Sequence, residues 1–134
     1  MSKVFILQRD KGVGNTLAHL FTAANFDVVD CSGADAHTLR QTMAHESEPF
    51  AVITSQMGCS GSPDFGNKVA KMVKAGTAHP TLTIVYSGIA PRHHDGLEST
   101  PRDKVILMKK ADLIADCASM RSTTAVFFLE HMNR

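Results

Sequence analysis

The chain of 134 residues lacks tryptophan and has a single tyrosine. It therefore offers few aromatic platforms on which a nucleobase or a flavin ring can stack. It also lacks a sizeable net charge, since 14 basic residues stand against 13 acidic ones, so no global field draws it to nucleic acid or to an anionic membrane. No apolar run is long enough to span a bilayer, and no signal peptide is predicted before the first strand.

Cysteine is scarce as well, and its placement bears on the compartment. Cys31, Cys59 and Cys117 are odd in number and far apart, which argues against a disulfide framework and predicts a reducing cytoplasm. The length suits one domain with a full hydrophobic core and is too short for two. We therefore expect residues 1–134 to form a single domain.

The most informative stretch that is present is Phe50–Ser55, a short apolar and β-branched run with turn formers on both sides. Such a run is typical of a strand buried on both faces in the middle of a parallel sheet. Ligands of open α/β sheets bind beyond the carboxyl ends of the strands. Ser55, the last residue of the run, is therefore expected at the functional edge.

Further strands and helices are predicted to alternate along the chain. Strands are expected at residues 3–7, 27–31, 81–86 and 105–108, and residues 8–14 are expected to form a loop. Helices are expected around Leu17 to Ala24 (ending at Asn25), around Leu39 and Met43, from Ser62-Pro63-Asp64 to Gly76, and from Ala111 onward. This alternation predicts an α/β fold with a parallel, doubly wound sheet.

The stretch from Gly88 to Lys110 supports two interpretations. Pro91, Gly96 and Pro101 interrupt any helix there, which favours a short or irregular helix followed by strand five at 105–109. Alternatively, residues 100–103 start a capped helix that runs through 105–108, and strand five lies at 113–117.

The ends of the predicted strands carry a recurring set of polar residues. Ser55 ends strand three, Ser87 ends strand four, and Lys109 ends strand five within the run Lys-Lys-Ala-Asp-Leu. In order and position these residues resemble the response-regulator receiver domain, the phosphorylatable module of two-component signalling, over nearly the whole chain. The resemblance implies a flavodoxin-like (CheY-like) sheet of five parallel strands in the order 2-1-3-4-5, with helices on both faces.

The departures from the receiver pattern concern the residues that carry its chemistry. The family has two acids after strand one and a phosphorylated aspartate after strand three, where this chain has Gln8, Arg9 and Ser55. Mg²⁺ prefers carboxylate oxygen ligands, and Asp10 alone does not make a site. Arg9 adds positive charge there, which costs on the order of 4 kcal/mol for two unit charges about 4 Å apart. The resemblance therefore implies a degenerate pocket without bound metal.

Each of these residues also has a plainer interpretation. Ser55 and Ser87 can be strand-end hydroxyls that bond to nearby backbone, and Lys109 can be a solvated side chain that does not reach toward Ser55. Arg9 and Asp10 can be an exposed loop pair of little energetic weight. The functional hypothesis is that the Arg9 guanidinium takes the metal's place and holds the domain in one state.

A rival interpretation from another class rests on Lys11–Thr16. This glycine-bearing loop after strand one resembles the FMN-phosphate loop of flavodoxins, and its backbone N–H groups could cradle a phosphate. The scarcity of aromatic residues argues against a bound flavin ring. FMN or nucleotide binding is therefore kept as the alternative.

The sequence thus predicts a stand-alone, non-enzymatic receiver-like protein that needs no cofactor. It is expected to act in signal transduction through contact with a protein partner, such as a kinase or an output protein, or with a second copy of itself. The expected contact surface runs from strand four to the last helix. Its candidate residues are Tyr86, Met108, Phe127 and Phe128.

Overall fold

The computed structural model describes residues 3–8, 11–23, 25–32, 36–46, 50–55, 65–76, 81–87 and 103–118. The strands are β1 (Lys3–Leu7), β2 (Asp27–Asp30), β3 (Phe50–Ser55), β4 (Thr81–Ser87) and β5 (Asp103–Lys109). The helices are α1 (Lys11–Ala23), α2 (Ala36–Ala44), α3 (Phe65–Gly76) and α4 (Lys110–Ala118). Within these ranges no helix is both long enough and apolar enough to cross a membrane.

The described strands form one sheet in the order β2-β1-β3-β4-β5, and every neighbouring pair is parallel. The predicted flavodoxin-like α/β architecture is confirmed. Strand five lies at Asp103–Lys109 and Leu113 is helical, so the alternative that placed this strand at 113–117 is wrong. The predicted cap of helix three, Ser62-Pro63-Asp64, and the segment 88–102 lie outside the described residues.

Apolar side chains fill both faces of the sheet. On one face, Leu17 and Phe21 of α1 and Leu113 of α4 pack in one cluster with strand residues such as Ile53. On the opposite face, side chains of α2 and α3 pack against strand residues that include Phe5 and Phe50. The alternation of side chains along a strand produces these two layers, and burial of each large side chain stabilises the fold by roughly 1.5–3 kcal/mol.

The start of α1 corrects the predicted loop at residues 8–14, because the helix begins at Lys11. Gly12 and Gly14 have low helix propensity and suggested a loop. Val13, which is 7% exposed, and Leu17, which is fully buried, anchor this segment in the core. Tertiary packing of an apolar stripe outweighs local propensity here.

The end of α1 confirms the predicted stop at Asn25. Asn25 has a φ of 68°, in the left-handed region that asparagine tolerates better than most residues. Its N–H donates to the carbonyl of Thr22 and the N–H of Phe26 donates to that of Phe21, each at 3.0 Å. The rings of Phe21 and Phe26 meet edge to face at 6.0 Å. Together these contacts form a Schellman motif with its apolar contact.

Candidate functional site

The carboxyl edge of the sheet gathers the polar residues singled out in the sequence. Gln8 directly follows β1, Ser55 ends β3, Ser87 ends β4 and Lys109 ends β5. Parallel strands bring all their carboxyl ends to the same edge, where open α/β sheets bind ligands. Arg9 and Asp10, the other two residues of the predicted pocket, lie outside the described part of the chain.

Gln8 and Ser55 lie on the face that α1 covers. Leu7 pairs with Thr54 in the sheet register, so the next residues along the two strands, Gln8 and Ser55, are neighbours. Strand alternation puts them on the side of Ile6 and Ile53, which belong to the cluster around α1. Gln8 is 3% exposed and Ser55 is 8% exposed. The first half of the predicted pocket is therefore a buried amide beside a buried hydroxyl.

Ser87 and Lys109 form the second half of the pocket on the opposite face. They are direct register partners on β4 and β5. Alternation places them on the side of Val85 and Leu107, which pack with Ala70 of α3. Ser87 is half-buried and Lys109 is exposed.

The two halves of the pocket are not joined by a contact between Lys109 and Ser55. Within the described residues no hydrogen bond joins Lys109 to Ser55, since β4 lies between their strands and alternation places the two residues on opposite faces of the sheet. Lys109 is exposed at the end of its strand. The plainer interpretation of a solvated lysine fits this placement.

The end of β2 contributes residues that the sequence analysis missed. The Gln8 N–H donates to Ser32 Oγ at 2.8 Å, and the Ser32 N–H donates to Asp30 Oδ1 at 2.9 Å. The Cys31 N–H donates to the carbonyl of Ile6 at 2.8 Å. An aspartate side chain that accepts the backbone N–H two residues later forms an Asx turn. The sequence Asp30-Cys31-Ser32 is compatible with this turn, so the turn could have been predicted. This turn ties Gln8 to the neighbouring strand.

The Cys31 thiol lies beside this turn and is half-buried. Burial raises its pKa above the ordinary value, and the nearby Asp30 carboxylate raises it further. Both causes disfavour the thiolate, which is the reactive form of cysteine. Cys31 therefore behaves as a packing residue, and it contacts the cluster under α2.

Among the described residues, those at the carboxyl ends of β1, β3 and β4 supply neutral donors and acceptors, and Lys109 at the end of β5 supplies a cation. The described ranges contain no group of three side chains of the metal-ligating types. The carboxylate of Asp30, at the end of β2, accepts the Ser32 N–H. Gln8, Ser55 and Ser87 can bind by hydrogen bonds, and Lys109 can attract an anion.

The proposed phosphate loop has a different structure from the one predicted. Lys11–Thr16 forms the first turns of α1, and the Thr16 hydroxyl donates to the Gly12 carbonyl one helical turn back, at 3.0 Å. A helical segment presents only the N–H groups of its first turn. The phosphate of the rival interpretation would therefore meet only the N–H groups at the start of α1.

The candidate partner surface is only partly exposed. Tyr86 is 3% exposed and packs in the core around α1, whereas Met108 is half-buried. Ile114 of α4 is the large apolar side chain that stands out among the described residues at 38% exposure. Phe127 and Phe128 lie outside the described residues. A partner that docks on this side would meet Met108 and Ile114 before Tyr86.

No family model, curated protein or solved structure matches this chain. The sheet order alone does not assign a function, because a few folds host many unrelated activities. Function is therefore argued from the residues at the carboxyl edge and on the β5–α4 side.

Proposed function

We propose that this protein is an atypical receiver-like domain, a pseudo-receiver, that works in cytoplasmic signal transduction through contact with a partner protein. In this proposal the receiver architecture is kept and the aspartyl phosphorylation chemistry is lost. The protein is not an enzyme and holds neither Mg²⁺ nor FMN. The observation that carries the proposal is the register of Leu7 with Thr54, which makes the buried Gln8 and Ser55 neighbours at the carboxyl edge of β1 and β3.

The Gln8–Ser55 pair supports the loss of phosphoryl chemistry for two reasons. Mg²⁺ takes carboxylate and other hard oxygen ligands, and a neutral amide beside a hydroxyl supplies no negative charge. A serine hydroxyl is also a weak nucleophile at its ordinary pKa. Ser55, which is 8% exposed, has little access to a phosphodonor in solution.

The β5–α4 side supports a role in protein contact. Val105, Ile106, Leu107 and Met108 of β5 are all half-buried, so this edge strand keeps part of its apolar surface open. Ile114 adds an exposed apolar side chain on the helix that follows directly. Apolar surface of this kind, flanked by charged residues such as Lys109 and Asp112, is typical of a protein interaction site.

The phosphorylation arm of the proposal is tested by incubating the protein with acetyl phosphate and Mg²⁺ and measuring its intact mass. We expect no phosphoryl adduct. A receiver that still responds to a phosphodonor by a residual route is the competing outcome, and a Mg²⁺-dependent adduct that disappears in Ser55→Ala would establish it.

An absorbance spectrum of the purified protein tests the FMN alternative, which a bound yellow chromophore would support.

The contact arm is tested with a photo-crosslinking amino acid at Ile114, in cells of the native host. The same probe at Lys104, an exposed position at the opposite end of β5, is the matched control. We expect one discrete adduct from position 114 and none from position 104. Equal labelling at both positions, or none at either, would contradict the proposed surface.

A further inference from the structure

A groove lies between α2 and α3, on the face of the sheet opposite α1 and α4. Its volume is about 370 Å³, which is within the range of roughly 300–1,000 Å³ that small-molecule sites occupy. We call it the α2–α3 groove. None of its lining residues belongs to β5 or α4, so the proposed function makes no use of it.

The floor of the α2–α3 groove is apolar. Leu39 of α2 and Val69 of α3 line it from the buried core, and Phe65 and Met72 of α3 line it from half-buried positions. Phe65 and Met72 therefore still expose apolar surface to the groove. Covering that surface with a hydrocarbon body would remove it from water at roughly 25 cal/mol per Å².

The rim of the groove carries basic side chains from both walls. His37 and Arg40 of α2 and Lys68 of α3 line it, and all three are exposed. Neither Ala36–Ala44 nor Phe65–Gly76 contains an aspartate or a glutamate. In a chain whose charges nearly balance, two adjacent helices that carry basic residues only form a local field that favours an anion.

We propose that the α2–α3 groove is a binding site for a small organic anion with an apolar body. The carboxylate or phosphate of such a molecule is held between Arg40 and Lys68, and its hydrocarbon part lies on Phe65 and Met72. An arginine and a lysine on opposite walls suit an anionic group, because charge-assisted hydrogen bonds are about twice as strong as neutral ones. A cation with the same body meets like charges at the rim and is rejected.

The first experiment compares three ligands with one hydrocarbon chain on the ¹⁵N-labelled protein. Decanoate, decanol and decyltrimethylammonium are titrated below the concentrations at which they form micelles, and amide shifts are recorded. Decanoate is expected to give saturable shifts in α2 and α3, with weaker shifts from decanol and none from the cation. Equal shifts from all three would overturn the proposal, since they indicate apolar adsorption, and so would decanoate shifts outside these helices.

Substitutions at the rim separate a defined site from general attraction of anions. Arg40→Gln and Lys68→Gln are each expected to weaken decanoate binding about tenfold, the loss of one charge-assisted contact. Lys71→Gln is the matched control, because Lys71 is exposed on the same helix and does not line the groove. An equal loss in Lys71→Gln would overturn the proposal. An acidic helical peptide is titrated as a further probe. Shifts that appear with this peptide but with no small anion would also overturn the proposal.

Discussion

Gly14 of α1 lies directly against the side chain of Gln8. A Cβ built on Gly14 would be 2.9 Å from Gln8 Cγ and 3.1 Å from Gln8 Cβ. These are the rigid near atoms of the side chain, and Gln8 is itself fixed through its N–H bond to Ser32 Oγ. The glycine thus allows α1 to approach the strand end at the candidate pocket.

Gly14→Ala is expected to destabilise the protein although alanine is the better helix former. The gain in helix propensity is about 1 kcal/mol, whereas overpacking a buried contact costs typically 1–3 kcal/mol. We expect a net loss of up to about 2 kcal/mol in the free energy of unfolding, measured by urea denaturation. Gly12→Ala, at an exposed position in the same helix, is the control and should be neutral or stabilising.

A double-mutant cycle tests the cause of that loss. Gln8→Ala removes the Cγ that Gly14→Ala would meet, so the combined variant should lose less stability than the sum of the two single changes. Residues in direct contact typically show coupling energies of roughly 0.5–3 kcal/mol. Additive losses would mean that the glycine is needed for another reason.

The left-handed backbone of Asn25 gives a second prediction. Asn25→Ala should cost about 1 kcal/mol, because alanine lacks the short polar side chain through which asparagine tolerates a positive φ despite its Cβ. Asn25→Gly should be neutral or slightly stabilising, since glycine is the usual residue at this position of a helix end. Asn15→Ala on the exposed face of α1 is the control and should not destabilise. Equal losses in the alanine and glycine variants at position 25 would argue against backbone strain as the cause.

The elements that the sequence predicted well are those with one dominant local cause. The run Phe50–Ser55 is buried along its whole length, and its β-branched apolar residues predicted the strand at its observed bounds. Asn25 predicted the end of its helix because asparagine adopts the left-handed backbone conformation more readily than most residues. In such places burial pattern and local conformation point the same way.

The elements that the sequence predicted poorly depend on contacts between distant segments. Gly14 suggested a loop because the residue it faces, Gln8, is not visible as a packing partner in the linear pattern. Ser32 was missed because its bond to Gln8 joins residues 24 positions apart. Tyr86 was placed on a contact surface, whereas the packing of α1 and its neighbours buries it. Tertiary contacts override local signals at these positions.

The ion pair between Lys3 and Glu46 gives a third prediction. Lys3 Nζ lies 2.9 Å from Glu46 Oε1, with the lysine side chain 38% exposed and the glutamate side chain 12% exposed. Lys3→Met should cost about 1–2 kcal/mol, because it leaves a mostly buried carboxylate without its charged partner. Glu46→Gln should cost less than about 1 kcal/mol, since it leaves an exposed ammonium.

Denaturation at low and high salt checks the electrostatic origin of this asymmetry. The loss in Lys3→Met should shrink as salt screens the pair. Lys104→Met, which removes an exposed lysine from β5, is the control and should change the free energy of unfolding by less than about 0.5 kcal/mol. A larger loss in Glu46→Gln than in Lys3→Met would contradict the argument.

The raised pKa of the Cys31 thiol gives a fourth prediction, on pH dependence. Its pKa is raised by burial and by Asp30, so the folded state keeps the proton at a pH where the unfolded chain begins to lose it. The protonated thiol therefore contributes to stability below about pH 8.5, which is the ordinary pKa of a cysteine. This contribution is lost as the pH rises through the higher pKa that the thiol has in the folded state. Alkylation by iodoacetamide should therefore stay slow near neutral pH.

Asp30→Asn separates the two causes of that shift. The asparagine oxygen can still accept the Ser32 N–H, while the negative charge beside the thiol is gone. In a background with Cys59→Ser and Cys117→Ser, the midpoint of the alkylation rate against pH should move down in Asp30→Asn, yet stay above that of an unfolded cysteine because burial remains. An unchanged midpoint would show that the carboxylate has no effect on the thiol.

The fifth prediction concerns a carboxylate reintroduced at Ser55. Ser55→Asp should not take a phosphoryl group from acetyl phosphate, because Gln8 and Arg9 give Mg²⁺ no anionic ligands beside it. Burial raises the pKa of the new carboxyl, so the stabilising, protonated form is lost as pH rises through that pKa. The variant should thus be less stable at pH 7 than at pH 4 relative to Ser55→Asn, its uncharged control.

The combined variant Gln8→Asp, Arg9→Asp, Ser55→Asp places acids at the three positions where the proposed receiver pattern has them. It should gain a Mg²⁺-dependent phosphoryl adduct by intact mass, since carboxylates at positions 8 and 55 would be neighbours at the carboxyl ends of β1 and β3 and position 9 would add a third negative charge. Adduct formation in Ser55→Asp alone would mean that the native edge already binds a divalent cation, and the pseudo-receiver assignment would fail. A folded triple variant that forms no adduct would show that this edge differs from a receiver pocket in more than its charge.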